Sequence, residues 1–299
     1  MTPEKKQGNS LAPKVTGKLA PFRFTDARVV LTGAASGMGE QMAHQLADQG
    51  ARLVLVDRDE ERLTAVAAVI TDARPGSDVT THVVDLSDDA AIAAFVEELA
   101  GTSVDLLINN AGVALGGGFD QVTEEEFDWV LQINLRAPIA LARGVLPLMS
   151  EGAHIVNLSS LFGLTGPAGQ TAYSTSKFGL RGFSDSLRRE LAPQGIGVTT
   201  VHPGGIRTRI AETARITEKA TEEQVTEGKK AFARMLSYPA DKAAAEILDG
   251  VGHRRARVLI APETTIIDIA ARLAPVRNLE LVSALQSTVG KVARKLRRS

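Results

Sequence analysis

From Ala27 onward the chain alternates short aliphatic and β-branched runs with longer stretches in which apolar positions recur every three or four residues. Seven runs read as buried strands, at residues 28–31, 52–56, 79–84, 104–108, 154–158, 197–201 and 257–260. Most are apolar almost throughout rather than alternating, as expected of strands covered on both faces. Between them, residues 39–49, 59–71, 88–100, 123–149 and 172–191 carry the helical period. Strand and helix in strict alternation predict an α/β fold, a seven-stranded parallel sheet with helices on both faces. In such sheets ligands bind in the crevice outside the carboxyl ends of the strands.

Composition adds little of its own. The 299 residues, 44% hydrophobic and 23% charged, suit one globular domain, placed at residues 24–261. A net charge of -1 gives no global attraction to nucleic acid or anionic membrane. The absence of cysteine excludes disulfides, a thiolate nucleophile and cysteine-ligated metal, and fits a cytoplasmic protein; no metal is expected. Residues 1–23, with Pro3, Pro13 and Pro21, read as a flexible extension without a signal-peptide core, and no apolar run reaches membrane-spanning length. Residues 262–299 are additional material, helical over 264–273 and ending in the basic run KVARKLRRS. That run is either a solvated tail beside a helix that packs on a neighbouring subunit, which is favoured, or a peripheral contact with an anionic membrane.

The first strand runs into Thr32-Gly33-Ala34-Ala35-Ser36-Gly37-Met38-Gly39 and then a helix. Glycines there let the backbone turn tightly and approach a pyrophosphate, whose charge is favoured by the helix N-terminus. An acid, Asp57, ends the second strand, where a carboxylate accepts both adenine-ribose hydroxyls and repels a 2'-phosphate. This argues for NAD over NADP, although the adjacent Arg58 could partner a phosphate. Asp85, before Leu86, is placed either to meet the adenine or to cap the helix starting near Asp88.

Further along, Tyr173 and Lys177 are spaced i, i+4, on one helical face, and Ser160 precedes Tyr173 by thirteen residues. A nearby ammonium favours the phenolate and lowers a pKa that is otherwise about 10. Taken alone, this pair occurs by chance too often to decide anything.

The glycine-rich turn, Asn109-Asn110-Ala111-Gly112 after the fourth strand, Asn134, Ser160, Tyr173-x-x-x-Lys177 and Pro203-Gly204 after the sixth strand follow in one order. Over residues 26–261 this order resembles the short-chain dehydrogenases/reductases. The resemblance implies a Rossmann-type doubly wound sheet and hydride transfer between NAD(P) and a secondary alcohol or carbonyl compound. It implies Tyr173 as general acid/base and Lys177 as the group that lowers its pKa and bonds the nicotinamide ribose. Ser160 would hold the substrate oxygen, with Ser159 the adjacent alternative, and Asn134 would hold a water in the proton relay; a local polar role in the helix is its other reading. Gly33, Ser36, Gly37, Met38, Gly39, Asp57, Arg58, Asp85, Leu86, Asn110, Ala111, Gly112, Pro203, Gly204, Ile206 and Thr208 are the remaining cofactor positions implied. Asn109 and Asn110 have a supporting role in the turn as their alternative.

Substrate choice is expected to sit in a lid at residues 205–238, where Ile210, Ile216, Val225, Phe232, Met235 and Leu236 offer an apolar inner face for a moderately hydrophobic small molecule. The resemblance also suggests a homo-oligomer, dimer or tetramer, packed through the helices after Thr123 and Ala172. A dinucleotide-sensing protein without turnover is the rival reading, because fold alone does not set function.

Overall fold

A computed structural model describes residues 19–209, 214–277 and 280. Strands β1 (Arg28–Thr32), β2 (Arg52–Asp57), β3 (Val79–Val83), β4 (Leu106–Asn109), β5 (His154–Leu158), β6 (Gly197–Pro203) and β7 (Arg257–Ile260) form one sheet in the order β7-β6-β5-β4-β1-β2-β3. Every neighbouring pair is parallel. Successive side chains of one strand enter opposite layers: Val29, Leu31, Leu53, Leu55, Leu106 and Ile108 join one core, and Val30, Val54, Val56, Leu107, Ile155 and Val198 the other. The first core takes Met42 and Leu46 of α1 (Gly37–Asp48), Leu63 and Ile70 of α2 (Glu60–Ala73), and Ile247 and Val251 of a later helix, Ala240–Gly252. The second takes Ile92 and Phe95 of α3 (Asp89–Glu98), with Leu141 and Val145 further along. Each fully buried aliphatic side chain of this kind contributes about 1.5–3 kcal/mol.

The helix expected over 123–149 is not continuous. α4 (Glu124–Leu131) starts at a Thr123/Glu126 capping box, widens into a π turn at Gln132–Arg136, and resumes as α5 (Ala137–Val145). Pro138 explains the break, because it has no N–H to give to the carbonyl of Asn134 four residues before it. α6 (Thr171–Leu191) is unbroken. The lid holds α7 (Glu222–Met235), and α8 (Ala240–Gly252) and α9 (Pro262–Leu273) flank β7 in sequence.

The extension expected over residues 1–23 divides. Residues 1–18 lie outside the described residues, whereas the last part is docked: Phe22 and Phe24 are buried against each other, the Phe22 N–H donates to the Gly252 carbonyl at 2.9 Å, and the Arg254 guanidinium lies over the Phe22 ring. The basic run at the C-terminus also lies outside the described residues. No helix among the described residues is long and apolar enough to cross a membrane.

Candidate active site

The chain leaves β1 outward to β2 and β3, then returns to β4 on the other side of β1. The loops after β1 and β4 therefore part at the carboxyl edge and leave a crevice. A cavity of about 240 Å³ occupies it. Gly33, Ser36, Gly37, Met38, Asp57, Arg58, Asp85, Leu86, Asn110, Ala111, Gly112 and Thr208 all line this cavity.

The crevice is shaped by its own backbone. Gly33 and Gly37 sit at φ +67° and +61°, where an L side chain is strained. A Cβ on Gly39 would run into the Gly33 carbonyl oxygen, so Gly39 stands outside the lining of this cavity and lets α1 close onto the turn. Asn110 holds that turn from the far side: its Nδ2 donates to the Thr32 and Gly33 carbonyls at 2.9 and 3.0 Å, and the Thr32 hydroxyl accepts from the Asn110 and Ala111 N–H groups. Of its two sequence readings, the supporting one is what these bonds show.

Asp57 accepts from the Ala35 N–H at 3.0 Å and from the Asp59 N–H at 3.1 Å, so its carboxylate ties the glycine-rich turn to the end of β2. Asp85 does not cap a helix. It accepts from the Ser87 N–H and hydroxyl, while Asp88 caps α3 through the Ala90 N–H. Burial opposes the charge of Asp85, but the two Ser87 bonds and nearby Arg58 outweigh it and hold the carboxyl below its usual range.

A second cavity of about 120 Å³ adjoins the first, sharing Met38, Asn110, Gly112 and Thr208 with it. Ser160, Tyr173, Lys177, Pro203, Gly204 and Ile206 line it. Ser159 is buried and donates its hydroxyl to the Lys177 carbonyl at 2.9 Å, so it braces α6 against β5. Ser160 caps the short 3-10 turn Leu161–Gly163 and hydrogen-bonds the Tyr173 phenol. The Lys177 ammonium donates to the Leu158 carbonyl at 3.0 Å and lies 5.7 Å from the Tyr173 ring centre. Burial pulls the Lys177 pKa down to about 8. It also pushes the Tyr173 phenol up, and only the Ser160 bond works in the other direction. Burial is the dominant cause, so the phenol stands above its ordinary value even with the Lys177 ammonium close to its ring.

Asn134 is fully buried beside the cavity. Its Nδ2 donates to the Val113 carbonyl and the Ser176 hydroxyl, and its Oδ1 accepts from the Val113 N–H. A Cβ added to Gly112 would meet Asn134 Oδ1 at 3.2 Å and Lys177 Nζ at 3.3 Å, so both heads flank the same glycine.

Some lining residues escaped the sequence reading. Trp129, the only tryptophan, lines the first cavity with Ile133, and the Arg215 guanidinium lies 4.0 Å over its ring. Arg215 reaches it because Arg215–Ile216 pairs with Leu115–Gly116, and Glu126 ties the lid down through the Thr217 hydroxyl and Glu218 N–H. The Thr123-x-x-Glu126 capping spacing was a readable signal for Glu126; nothing local marked Trp129 or Arg215. A third cavity of about 310 Å³ lies under this part of the lid and shares Ala114 and Gln170 with the second. Of the expected apolar lid residues, Ile216 lines the third cavity and Leu236 the second. Ile210 and the side chains of Phe232 and Met235 lie outside the described residues.

A family model described as short chain dehydrogenase matches residues 27–219. The chain is 35% identical over 282 residues to dehydrogenase/reductase SDR family member 7B of Xenopus laevis, covering 91% of this chain and 85% of that protein. A short chain dehydrogenase/reductase from Burkholderia phymatum, solved in complex with NAD, superposes with TM-score 0.75 at 27% identity, covering 84% of this chain and 96% of that one. One from Sphingobium yanoikuyae, solved with NADPH, superposes with TM-score 0.68 at 30% identity, covering 87% and 95%.

Proposed function

Because this chain belongs to the short-chain dehydrogenase family, we infer that it is an oxidoreductase moving a hydride between NAD(P) and a secondary alcohol or ketone. The observation that carries this reading is the meeting of the Ser160 hydroxyl, the Tyr173 phenol and the Lys177 ammonium in a cavity that adjoins the glycine-lined crevice at the strand ends. The crevice fits the cofactor, since Gly33 and Gly37 line it without side chains at positive φ and α1 opens at Gly37 with its N-terminus there. The nicotinamide would supply or accept the hydride, chemistry no side chain performs.

In the direction of reduction, Ser160 and Tyr173 hold the carbonyl oxygen by two hydrogen bonds, and the phenol gives it a proton. A phenol raised by burial is suited to keep that proton until charge develops on the oxygen. Lys177, one side chain away, stabilises the phenolate left behind and returns a proton through a water held beside Asn134. In oxidation the same groups act in reverse, with Tyr173 taking the hydroxyl proton and Lys177 stabilising the phenolate that takes it. NAD is the preferred dinucleotide, because the Asp57 carboxylate at the ribose end repels a 2'-phosphate; Arg58 moderates this preference. The substrate is moderately hydrophobic, its body resting against Leu161, Phe162 and Leu236. Association into an oligomer through the outer face of α6, where Phe178 is exposed, belongs to the same reading.

Calorimetric titration of NAD and NADP, followed by an absorbance screen of alcohols and ketones, tests the proposal. Tyr173→Phe should lower turnover about 10²–10⁴-fold while leaving NAD affinity nearly unchanged. A Phe variant with undiminished turnover removes the mechanism, and NAD binding with no turnover on any compound favours a sensor.

A further inference from the structure

α9 has two faces. Thr264, Ile267 and Ala270 are buried, and Ile267 and Ala270 pack against Leu161 and Phe162, which line the cavity of Ser160 and Tyr173. Asp268 accepts from Arg257 of β7 at 3.0 Å, which fixes the rotation of the helix about its axis. With that face held inward, Ile266, Ile269 and Leu273 are 52%, 52% and 78% exposed, and Val276, just past the helix end, is 92% exposed. The first three are spaced by three and four residues, as one stripe along a helix. Val69, Val83, Phe119 and Phe178, the other large apolar side chains exposed among the described residues, are scattered singly along the chain. Scattered residues are ordinary on a surface, whereas a contiguous apolar stripe marks a contact.

The pattern continues in the sequence past the described residues. Beyond Glu280 the apolar positions Val282, Leu285, Val289, Val292 and Leu296 keep a three- or four-residue spacing. The same stretch carries Lys291, Arg294, Lys295, Arg297 and Arg298 without one acidic residue. Neither the stripe nor the charge is large enough to act alone, but membrane attachment scales with apolar burial and electrostatic attraction together.

We propose that the outer face of α9 and the basic run that follows it form one docking surface for an anionic lipid bilayer. The stripe enters the boundary between headgroups and acyl chains, and the cations meet the lipid phosphates. The sequence alone favours a neighbouring subunit at this end of the chain; the exposed stripe beside uncompensated positive charge points to lipid. Four side chains fall far short of the about 20–30 residues a side that a stable protein interface engages. A bilayer needs only a shallow apolar edge backed by several cations. Docking sets the membrane one helix away from the cavity that holds Ser160 and Tyr173.

The test is co-sedimentation of the full chain with vesicles of phosphatidylcholine alone and of equal parts phosphatidylcholine and phosphatidylglycerol. The anionic vesicles should bind at least about tenfold more tightly, and high salt should release the protein from them. Ile269→Gln/Leu273→Gln, which leaves the charge unchanged, should weaken that binding by about tenfold or more. Leu273→Gln alone, at a side chain 78% exposed, keeps the experiment readable should the double variant fail to fold. Lys295→Glu/Arg298→Glu should likewise cost about tenfold or more. Sedimentation velocity without lipid, on the same proteins, tests the other occupant: an oligomer that dissociates when the stripe is altered would place a second copy there and overturn the proposal. Equal affinity for the two vesicles, no binding to either, or binding unchanged by the folded stripe variants would overturn it as well.

Discussion

Replacing Lys177 by Met should stabilise the cofactor-free protein at neutral pH while destroying its activity. The folded protein holds the ammonium at a pKa of about 8, against 10.5 for an ordinary lysine, because burial disfavours its charge. That gap corresponds to about 3 kcal/mol of stability forgone at pH 7. Met fills a similar volume but leaves the Leu158 carbonyl without its donor, a loss of about 1–2 kcal/mol. The net gain is about 1–2 kcal/mol, read as a rise in melting temperature of about 2–5 °C. Between pH 8 and 10.5 the unfolded chain binds a proton at this lysine that the native state does not, so native stability rises with pH across that window. The advantage of Lys177→Met should therefore shrink by about 2 kcal/mol between pH 7 and pH 9.5, with the same pH dependence elsewhere cancelling in the comparison. Parallel melts of the two proteins at both pH values, alongside turnover, are the assay. A gain that does not change with pH, or a Met variant less stable at pH 7, would refute the idea that burial of this charge limits stability.

Asp57→Ala should relax discrimination against NADP and, by freeing the Ala35 and Asp59 N–H groups, cost about 1–2 kcal/mol in denaturant unfolding. Unchanged cofactor preference would mean that Asp57 serves only to tie the turn. Gly39→Ala pushes a methyl group into the Gly33 carbonyl and should cost about 1–3 kcal/mol together with most NAD affinity; a variant with native affinity would show that α1 can shift without harm to the crevice. Burial and neighbouring Arg254 pull His154 down to about 3, and burial is the main cause that brings His202 to about 4. Below pH 6.5 the unfolded chain takes up protons at these rings that the native state refuses, so stability should fall as pH drops toward 4. Denaturant midpoints at pH 7 and 4.5 measure it, and His154→Gln should flatten the dependence; an unaltered slope would place the acid sensitivity elsewhere.

What the residues announced in advance was whatever depends on local period and order. Runs such as RVVL and RLVLV are buried on both faces wherever they sit, so the strands and their parallel arrangement could be read without coordinates. A glycine turn between strand and helix, and Tyr173 four residues before Lys177, likewise carry their geometry in short segments. Even Pro138 held the reason for the π turn at Asn134, although its effect shows only as a break in a helix that the apolar period continues through.

Other features depend on partners distant in sequence. Ser159 and Ser160 are chemically identical and adjacent; only the packing of α6 on β5 engages the first with the Lys177 backbone and leaves the second in the cavity. Arg215 meets Trp129 because a lid strand pairs with residues a hundred positions earlier. Four arginines from α6, β7 and α9 surround His202 because the sheet edge brings them there. By itself the sequence determined the sheet, the order of the motifs and the groups available for chemistry, since these follow from backbone period and neighbouring residues. Only the tertiary structure decided which groups are buried, paired or left without a partner, because desolvation and hydrogen bonding belong to the space a side chain ends in rather than to its place in the chain.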